Sequence, residues 1–236
     1  MALPQYDPLT VTEYLALDRD SDLRNEYISG EIIAMAGASR VHSLIAGNTY
    51  ASVHTQLRGK SCEVHQNDMR VTTSERAFFA YPDLVVACGD VQLAEGIFDT
   101  LINPALVIEV LSKSTERNDR GDKFMRYRAI ATLQDYLLVS QNAARIEHYR
   151  RAEDDTWVLT DYVGLDAVLD LPSIGCKLSL ADAYERVDFT VPNPEADGGG
   201  QDDAANADCG PSGLDGRGGP GRRHRVRAVD PVPGDP

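Results

Sequence analysis

The chain of 236 residues carries 37 Asp and Glu against 23 Lys and Arg, a formal charge of −14. A body of that sign repels the phosphate backbone, which excludes non-specific nucleic-acid binding through bulk charge and requires a local site for any such role. Hydrophobic residues make up 42% of the chain, but no apolar run approaches the roughly 20 residues that span a bilayer, and no secretory signal is visible, so we expect a soluble cytoplasmic protein.

The first elements predicted from the sequence are a helix, a hairpin and a second helix. The segment Val11–Asp18 (VTEYLALD) predicts a short helix, and EYISGEIIAMAG (Glu26–Gly37) predicts a hairpin that turns at Ser29–Gly30. Apolar and small residues then recur at helical spacing over Val41–Arg58, and Gly59 is expected to end that helix.

The remaining elements alternate between strands and helices. Strands are predicted, in chain order, at Cys62–Thr73, Asp83–Cys88, Ala105–Leu111, Tyr136–Ser140, Arg145–Arg150 and Thr156–Tyr162. Helices are predicted at Asn118–Ala131 and Leu180–Val187. This order predicts an α/β fold with a mixed central β-sheet flanked by helices. The passage from the third of these strands through a helix to the fourth predicts a right-handed parallel βαβ unit.

The last 45 residues differ in composition from the rest of the chain. From about Pro192 the sequence is rich in Gly, Pro, Asp and Ala and has almost no large apolar residues. Such a segment cannot bury enough surface to offset its ordering entropy, so residues 192–236 are predicted to be a disordered tail after a domain over residues 1–191. Within the tail, GRRHRVR (Gly221–Arg227) is a basic run of the kind that is more often solvated than bound to phosphate.

Cysteine and histidine spacing gives no sign of a zinc site. The four cysteines lie far apart and form no CxxC pair: Cys62, Cys88, Cys176 and Cys209. This spacing argues against a zinc ribbon or a thioredoxin-like motif and predicts reduced cytosolic thiols. The five histidines contain no HExxH arrangement, so a histidine-rich zinc site has no support.

A carboxylate stands inside the most apolar of the predicted strands. In NPALVIEVLSKST (Asn103–Thr115), Glu109 interrupts a run of Leu, Val and Ile typical of a strand covered on both faces. An unpaired buried carboxylate is costly, so Glu109 needs a shifted pKa, a metal or a structural ion pair with a nearby Arg or Lys. Upstream, YPDLVV places Asp83 directly after Pro82 at the start of the preceding strand. If the two strands are adjacent, both carboxylates lie at one end of the sheet, where their repulsion favours a bound cation such as Mg²⁺.

Two further groups complete this candidate site. The backbone carbonyl of Val110 is a candidate third protein ligand for such an ion, which can activate a water in phosphodiester cleavage. A cation is also needed for the charge that develops on the phosphate, but the residue two positions after Glu109 is the apolar Leu111. Because Lys113 lies past the end of the strand, we favour Lys123, beside the buried stripe of the next helix.

Three motifs in this order, YPDLVV, NPALVIEVLSKST and DRGDKFMRYRAIATLQDYLLVS, resemble the Uma2 family of endonucleases, also called domain of unknown function 820. That family belongs to the PD-(D/E)XK restriction-endonuclease-like superfamily. The resemblance covers about Val11 to Val187 and includes EYISGEIIAMAG with the helix after it. It implies a metal-dependent nuclease core in which Asp83 and Glu109 bind Mg²⁺ or Mn²⁺ and the catalytic lysine has moved from the strand to the helix, here Lys123.

The resemblance also implies roles for neighbouring residues. An acidic residue of the first helix or hairpin can join the metal site in that superfamily, and Glu31 or Glu26 is the candidate here. Asp119 and Tyr127 fall where the family pattern has a polar residue and a tyrosine beside the lysine. The sequence departs from the family pattern, where a Trp and an Asp-Pro pair are common, at Leu137, Ser140 and Gln141.

The leading hypothesis is a Mg²⁺-dependent endonuclease that hydrolyses phosphodiester bonds of DNA with Asp83, Glu109 and Lys123 as its catalytic residues. The alternative is a non-catalytic nucleic-acid-binding or regulatory protein that keeps the nuclease fold, which the acidic body and the apolar residue at position 111 favour. A scaffold is a weaker hypothesis, because scaffolding does not require carboxylates in an apolar strand. Cutting both strands of a duplex usually takes two active sites, which a homodimer would supply.

Overall fold

The computed structural model describes residues 8–35 and 37–191, so the predicted tail over residues 192–236 lies outside the described residues. Helix α1 (Val11–Asp20) leads into the hairpin of β1 (Asn25–Ile28) and β2 (Glu31–Ala34), and helix α2 (Arg40–Leu57) follows. These four elements agree with the prediction. The hairpin turns where it was expected, because Ser29 and Gly30 adopt positive φ angles of 50° and 98°.

Most of the later elements are strands. They are β3 (Cys62–Gln66), β4 (Arg70–Thr72), β5 (Phe78–Ala80), β6 (Leu84–Cys88), β7 (Thr100–Leu101), β8 (Leu106–Val110), β9 (Asp135–Val139), β10 (Arg145–Arg151), β11 (Trp157–Val163), β12 (Val168–Leu171) and β13 (Cys176–Ser179). The helical segment between β8 and β9 consists of α3 (Glu116–Asn118), a π-helical turn (Asp119–Lys123) and α4 (Phe124–Tyr127). Helix α5 (Leu180–Ala183) follows β13.

The strands form two main sheets and a separate hairpin. The six-stranded sheet has the order β11-β10-β9-β8-β6-β3, the five-stranded sheet has the order β2-β1-β5-β4-β7, and β12 pairs with β13. Strands β8 and β9 are parallel, whereas the other pairs of the six-stranded sheet are antiparallel. This arrangement confirms the predicted mixed α/β fold, including the parallel strand pair joined by a helical segment.

The two faces of β8 pack against different partners. Leu106, Ile108 and Val110 belong to the core cluster under helix α2, whereas Val107 belongs to the cluster that includes Tyr127 of α4. Because side chains alternate along a strand, Glu109 shares the face of Val107 and is directed to the helical segment that carries Tyr127. The alternation of side chains that buries both faces of β8 therefore also directs its single carboxylate, Glu109, towards the helical segment.

The prediction was wrong for several element bounds. The segment expected as one strand over Cys62–Thr73 forms β3 and β4, which belong to different sheets, and Asn67 between them has a positive φ of 59°. The expected helix over Asn118–Ala131 begins earlier, contains the π-helical turn and ends at Tyr127. The sequence prediction did not include four of the strands: β5, β7 and the hairpin strands β12 and β13. Each of these strands has only two to four residues, too few for a clear alternating pattern.

Two of the four cysteines form a disulfide, so the prediction of reduced thiols was wrong for this pair. The antiparallel register of β3 and β6 places Cys62 opposite Cys88, with 4.0 Å between their Cα atoms. Because the two cysteines are 26 residues apart and form no local motif, the sequence did not predict this disulfide. Cys176 is buried with a free thiol, and Cys209 lies outside the described residues. Over residues 8–35 and 37–191, no helix is long and apolar enough to cross a bilayer.

Candidate active site

Most of the candidate site residues, including Asp83, Glu109, Val110 and Lys123, line one cavity of about 510 Å³. Its walls come from hairpin β1–β2, the beginning of α2, the residues that join β5 to β6, the end of β8 and the π-helical turn. Polar side chains in the wall include Glu26, His42, Asp83, Glu109 and Lys123. The structure therefore brings the two predicted carboxylates and the predicted lysine together at the place where the two large sheets meet.

The ammonium of Lys123 lies among three carboxylates. Its Nζ is 2.8 Å from Glu26 Oε1, 3.2 Å from Asp119 Oδ1 and 3.4 Å from Glu109 Oε1. None of these four side chains is more than 5% exposed. Burial by itself lowers the pKa of Lys123, but the carboxylates outweigh it and hold that pKa well above its usual value. Lys123 is therefore a fixed positive charge in the site and not a base.

Glu109 lies at the centre of the cluster. The hydroxyl of Tyr127 donates to Glu109 Oε1 at 3.2 Å, and the backbone N–H of Asp83 is directed to Oε2 at 3.4 Å. Burial raises the pKa of Glu109 well above its usual value; the charge of Lys123 opposes this rise, and the carboxylates of Asp119, Asp83 and Glu26 add to it. The site therefore holds more negative charge than the single ammonium compensates.

Asp83 is held across from Glu109 by the pairing of β6 with β8. Leu84 is the partner of Ile108 in this antiparallel pair, so the next positions outward are Asp83 and Glu109. The backbone N–H of Val110 donates to Asp83 Oδ2 at 2.7 Å, and His42 Nε2 lies 2.8 Å from Asp83 Oδ1. Because the N–H and C=O of one strand residue point to the same side, the Val110 carbonyl is also directed towards this end of β6.

Of the two hairpin glutamates, only Glu26 belongs to the cluster. Glu26 lies on β1, which is paired on both sides, and its Oε1 also accepts the backbone N–H of Tyr81 at 3.2 Å. Burial raises the pKa of Glu26, and the charge of Lys123 opposes that rise. Glu31 lies on the edge strand β2, is exposed and does not line the cavity. A glutamate on an inner strand is covered by its neighbours, whereas one on an edge strand reaches solvent.

The helical segment after β8 supplies a row of buried polar residues. Asp119, Lys123 and Tyr127 follow each other at intervals of four, and all three are buried. Residues at this spacing lie on one face of a helix, and here that face covers Glu109. In the sequence, this row is visible as polar residues that recur at the spacing of a buried helix face. His42 was not predicted, since a single histidine in the first turn of a helix matches no motif.

The donor set fits a hard divalent ion bound mainly by water. Carboxylates and carbonyls are the ligands that Mg²⁺ prefers, and it commonly uses one or two carboxylates while it keeps several waters. Asp83 and Glu109 face each other at the cavity wall, and Asp119, whose Oδ1 pairs with Lys123, lines the same cavity. Over the same residues, no three His, Cys, Asp or Glu side chains are arranged to hold a metal by themselves. The chemistry therefore fits a site of two carboxylates and water.

Comparison with known proteins identifies a matching family, two similar sequences and a solved structure of similar fold. The sequence profile of the Uma2 family, described as "Putative restriction endonuclease", matches residues 11–183. Two uncharacterized proteins of Synechocystis sp. are similar, one 35% identical over 162 residues (69% of this chain, 92% of that protein) and one 34% identical over 184 residues (78% and 95%). The fold resembles the crystal structure of a putative nuclease belonging to DUF820 from Anabaena variabilis, with a TM-score of 0.63 and 21% identity, covering 75% of this chain and 98% of that one.

Proposed function

Because this chain belongs to the Uma2 family, we propose that it is a metal-dependent endonuclease that hydrolyses phosphodiester bonds of DNA. One observation carries the proposal: Asp83 and Glu109 lie side by side in a cavity wall that also holds a buried, charged lysine. Two carboxylates can hold a divalent ion, and a lysine can stabilise the charge of the phosphate, and both contribute to phosphodiester hydrolysis.

The proposal gives each residue of the site a separate role. Asp83 and Glu109, with the carbonyl of Val110, would hold Mg²⁺ or Mn²⁺, and Glu26 replaces Glu31 as the acidic residue from the hairpin. When bound, the ion supplies activation of water and charge neutralisation at the phosphate. Lys123 keeps its proton, so it stabilises negative charge on the phosphate and does not accept a proton from water. Tyr127 orients Glu109 through its hydrogen bond.

A second candidate function is a non-catalytic nucleic-acid-binding or regulatory protein. One observation favours it: the ammonium of Lys123 already lies within ion-pair distance of three carboxylates, as in a purely structural ion cluster. In that case the fold would be kept and the carboxylates would bind no ion. Metal binding and cleavage therefore separate the two candidates.

The test is cleavage of supercoiled plasmid by the full chain with Mg²⁺, with Mn²⁺ or with EDTA. We expect nicking with either metal and none with EDTA, and a loss of about 100-fold or more in Glu109→Gln, Asp83→Asn and Lys123→Met. Glu31→Gln is the matched control, since it changes an exposed glutamate outside the cavity, and it should cleave like the wild type. Equal cleavage by all variants would refute the proposal. A folded wild type that neither cleaves nor binds metal would favour the non-catalytic candidate.

A homodimer remains part of the proposal, because two sites are needed to cut both strands of a duplex in one encounter. Light scattering behind a sizing column would give about twice the chain mass of 25.8 kDa for a dimer. A monomer that only nicks one strand at a time would remove this part of the proposal and leave the chemistry unchanged. Cleavage of RNA but not of DNA would change the proposed substrate without changing the site.

A further inference from the structure

His42 lines the cavity, and the proposed chemistry gives it no role. It lies in the first turn of α2, where the Ser39 side chain caps the helix by accepting the His42 backbone N–H at 3.0 Å. Its Nε2 is 2.8 Å from Asp83 Oδ1, and the two side chains are only 14% and 12% exposed. The imidazole is therefore held between the helix and a candidate metal ligand.

The other side of the imidazole faces Gln141. The Gln141 Nε2 donates to the carbonyl of Leu111 at 2.8 Å and lies 3.4 Å from His42 Nδ1, while its Oε1 accepts from the Ser39 hydroxyl at 2.8 Å. These contacts turn the amide nitrogen towards the histidine, and we assign His42 Nδ1 as the acceptor on that basis. The proton of a neutral His42 is then on Nε2, from which it donates to Asp83.

Asp83 is thus held at both oxygens. Oδ2 accepts the backbone N–H of Val110 at 2.7 Å, and Oδ1 accepts from His42. Two donors at fixed positions remove the rotation of the carboxylate about its last bond, so its free lone pairs have one direction. Each carboxylate oxygen can accept a second partner, and these remaining sites are the ones that a cation next to Glu109 would use.

We propose that His42 is a positioning residue that fixes Asp83 for metal binding and that Gln141 sets the tautomer of His42. The proposal rests on the proposed function, since it treats Asp83 as a metal ligand. The inference on His42 adds to the proposed function, because it gives helix α2 and the residues after β9 a part in building the metal site. Outer partners that orient metal ligands commonly account for 10- to 100-fold in metal affinity.

The test is a titration of the full chain with Mn²⁺ alone, followed by the electron paramagnetic resonance signal of the free ion. We expect His42→Ala to weaken Mn²⁺ binding about 10- to 100-fold. His42→Gln should restore most of the affinity, because the Gln amide nitrogen can take the place of Nε2 as a donor. Gln141→Leu should also weaken binding, by less. His54→Ala is the matched control, as this histidine of α2 stacks on Tyr50 and does not line the cavity.

The outcomes separate this inference from the proposed function. Mn²⁺ affinity unchanged in both His42 variants, or lowered equally in His54→Ala, would overturn the positioning role while the metal site stands. A wild type that binds no Mn²⁺ would overturn both. If His42→Ala does not fold, as judged by circular dichroism, Gln141→Leu carries the test: weaker binding in a folded Gln141→Leu supports the inference, and unchanged binding overturns it.

Discussion

Replacement of Lys123 by Met tests whether one ammonium stabilises the carboxylate cluster. Met keeps much of the side-chain length but removes the charge that lies 2.8 Å from Glu26, 3.2 Å from Asp119 and 3.4 Å from Glu109. Removal of one partner from a buried ion pair costs about 3–5 kcal/mol, since the remaining charge is uncompensated. Because three carboxylates lose their partner, we expect a loss of about 4 kcal/mol at neutral pH, which lowers the folding equilibrium constant about 1000-fold.

This penalty should depend on pH in one direction. Burial already raises the pKa of Glu26 and of Glu109 in the wild type, and loss of the ammonium raises both further. A group whose pKa is higher in the folded state binds protons more tightly there, so its favourable contribution is present below the unfolded pKa and is lost as the pH rises through the folded pKa. The penalty of Lys123→Met should therefore shrink as the pH falls from neutral towards 4.5, the ordinary glutamate value.

Urea unfolding measures this effect with the fluorescence of Trp157, the single tryptophan. EDTA in every sample keeps divalent ions from compensating the lost charge. Lys177→Met is the matched control, because Lys177 pairs with Asp170 at 2.9 Å on the surface, where both side chains are about 70% exposed, and should cost less than about 1 kcal/mol. A loss below about 1 kcal/mol in Lys123→Met, or a penalty that does not shrink at acidic pH, would refute the reasoning.

Three other changes have expected outcomes that the structure fixes. Tyr127→Phe removes the hydroxyl that donates to Glu109 at 3.2 Å and should lower the unfolding free energy by about 1–3 kcal/mol; an unchanged urea midpoint would contradict that hydrogen bond. Arg70→Met removes a fully buried guanidinium whose Nη1 lies 3.2 Å from Asp18 and should cost about 3–5 kcal/mol in the same urea assay, where a loss under about 1 kcal/mol would show that the ion pair contributes little. Reduction of the Cys62–Cys88 disulfide opens a loop with a sequence separation of 26 and should cost about 3–4 kcal/mol. A double serine variant of that pair should show the same number of free thiols in denaturant as the oxidised wild type, and a count lower by two would refute the bond.

The sequence was sufficient to predict that Asp83 and Lys123 lie near Glu109. A carboxylate in a strand that is apolar on both faces must face a partner, and the antiparallel pairing of β6 with β8 brings Asp83 opposite it. Amphipathic spacing selected Lys123 over Lys113, and the structure buries Lys123. These inferences rest on local periodicity and on the pairing of neighbouring strands, which are the features that a single sequence expresses most directly.

What the sequence did not predict depends on contacts between distant segments. Whether Glu26 or Glu31 is buried depends on which of their strands lies at the edge of a sheet, and the pattern of residues in a short hairpin does not determine that. His42 meets Asp83 across 41 positions of sequence and meets Gln141 across 99. The disulfide likewise follows from the register between β3 and β6, which neither cysteine's neighbours encode.

The position of Lys123 between the two large sheets has a consequence for folding. Glu26 belongs to the five-stranded sheet and Glu109 to the six-stranded sheet, yet both contact the same ammonium. Neither sheet by itself can assemble the cluster, so the contact of Glu26 with Lys123 forms only when both sheets are in place. An opening of the β1–β2 hairpin would separate Glu26 from Lys123 in the same way. The complete carboxylate cluster is thus expected to form late in folding, at the step that docks the two sheets, and to be lost when local unfolding separates them.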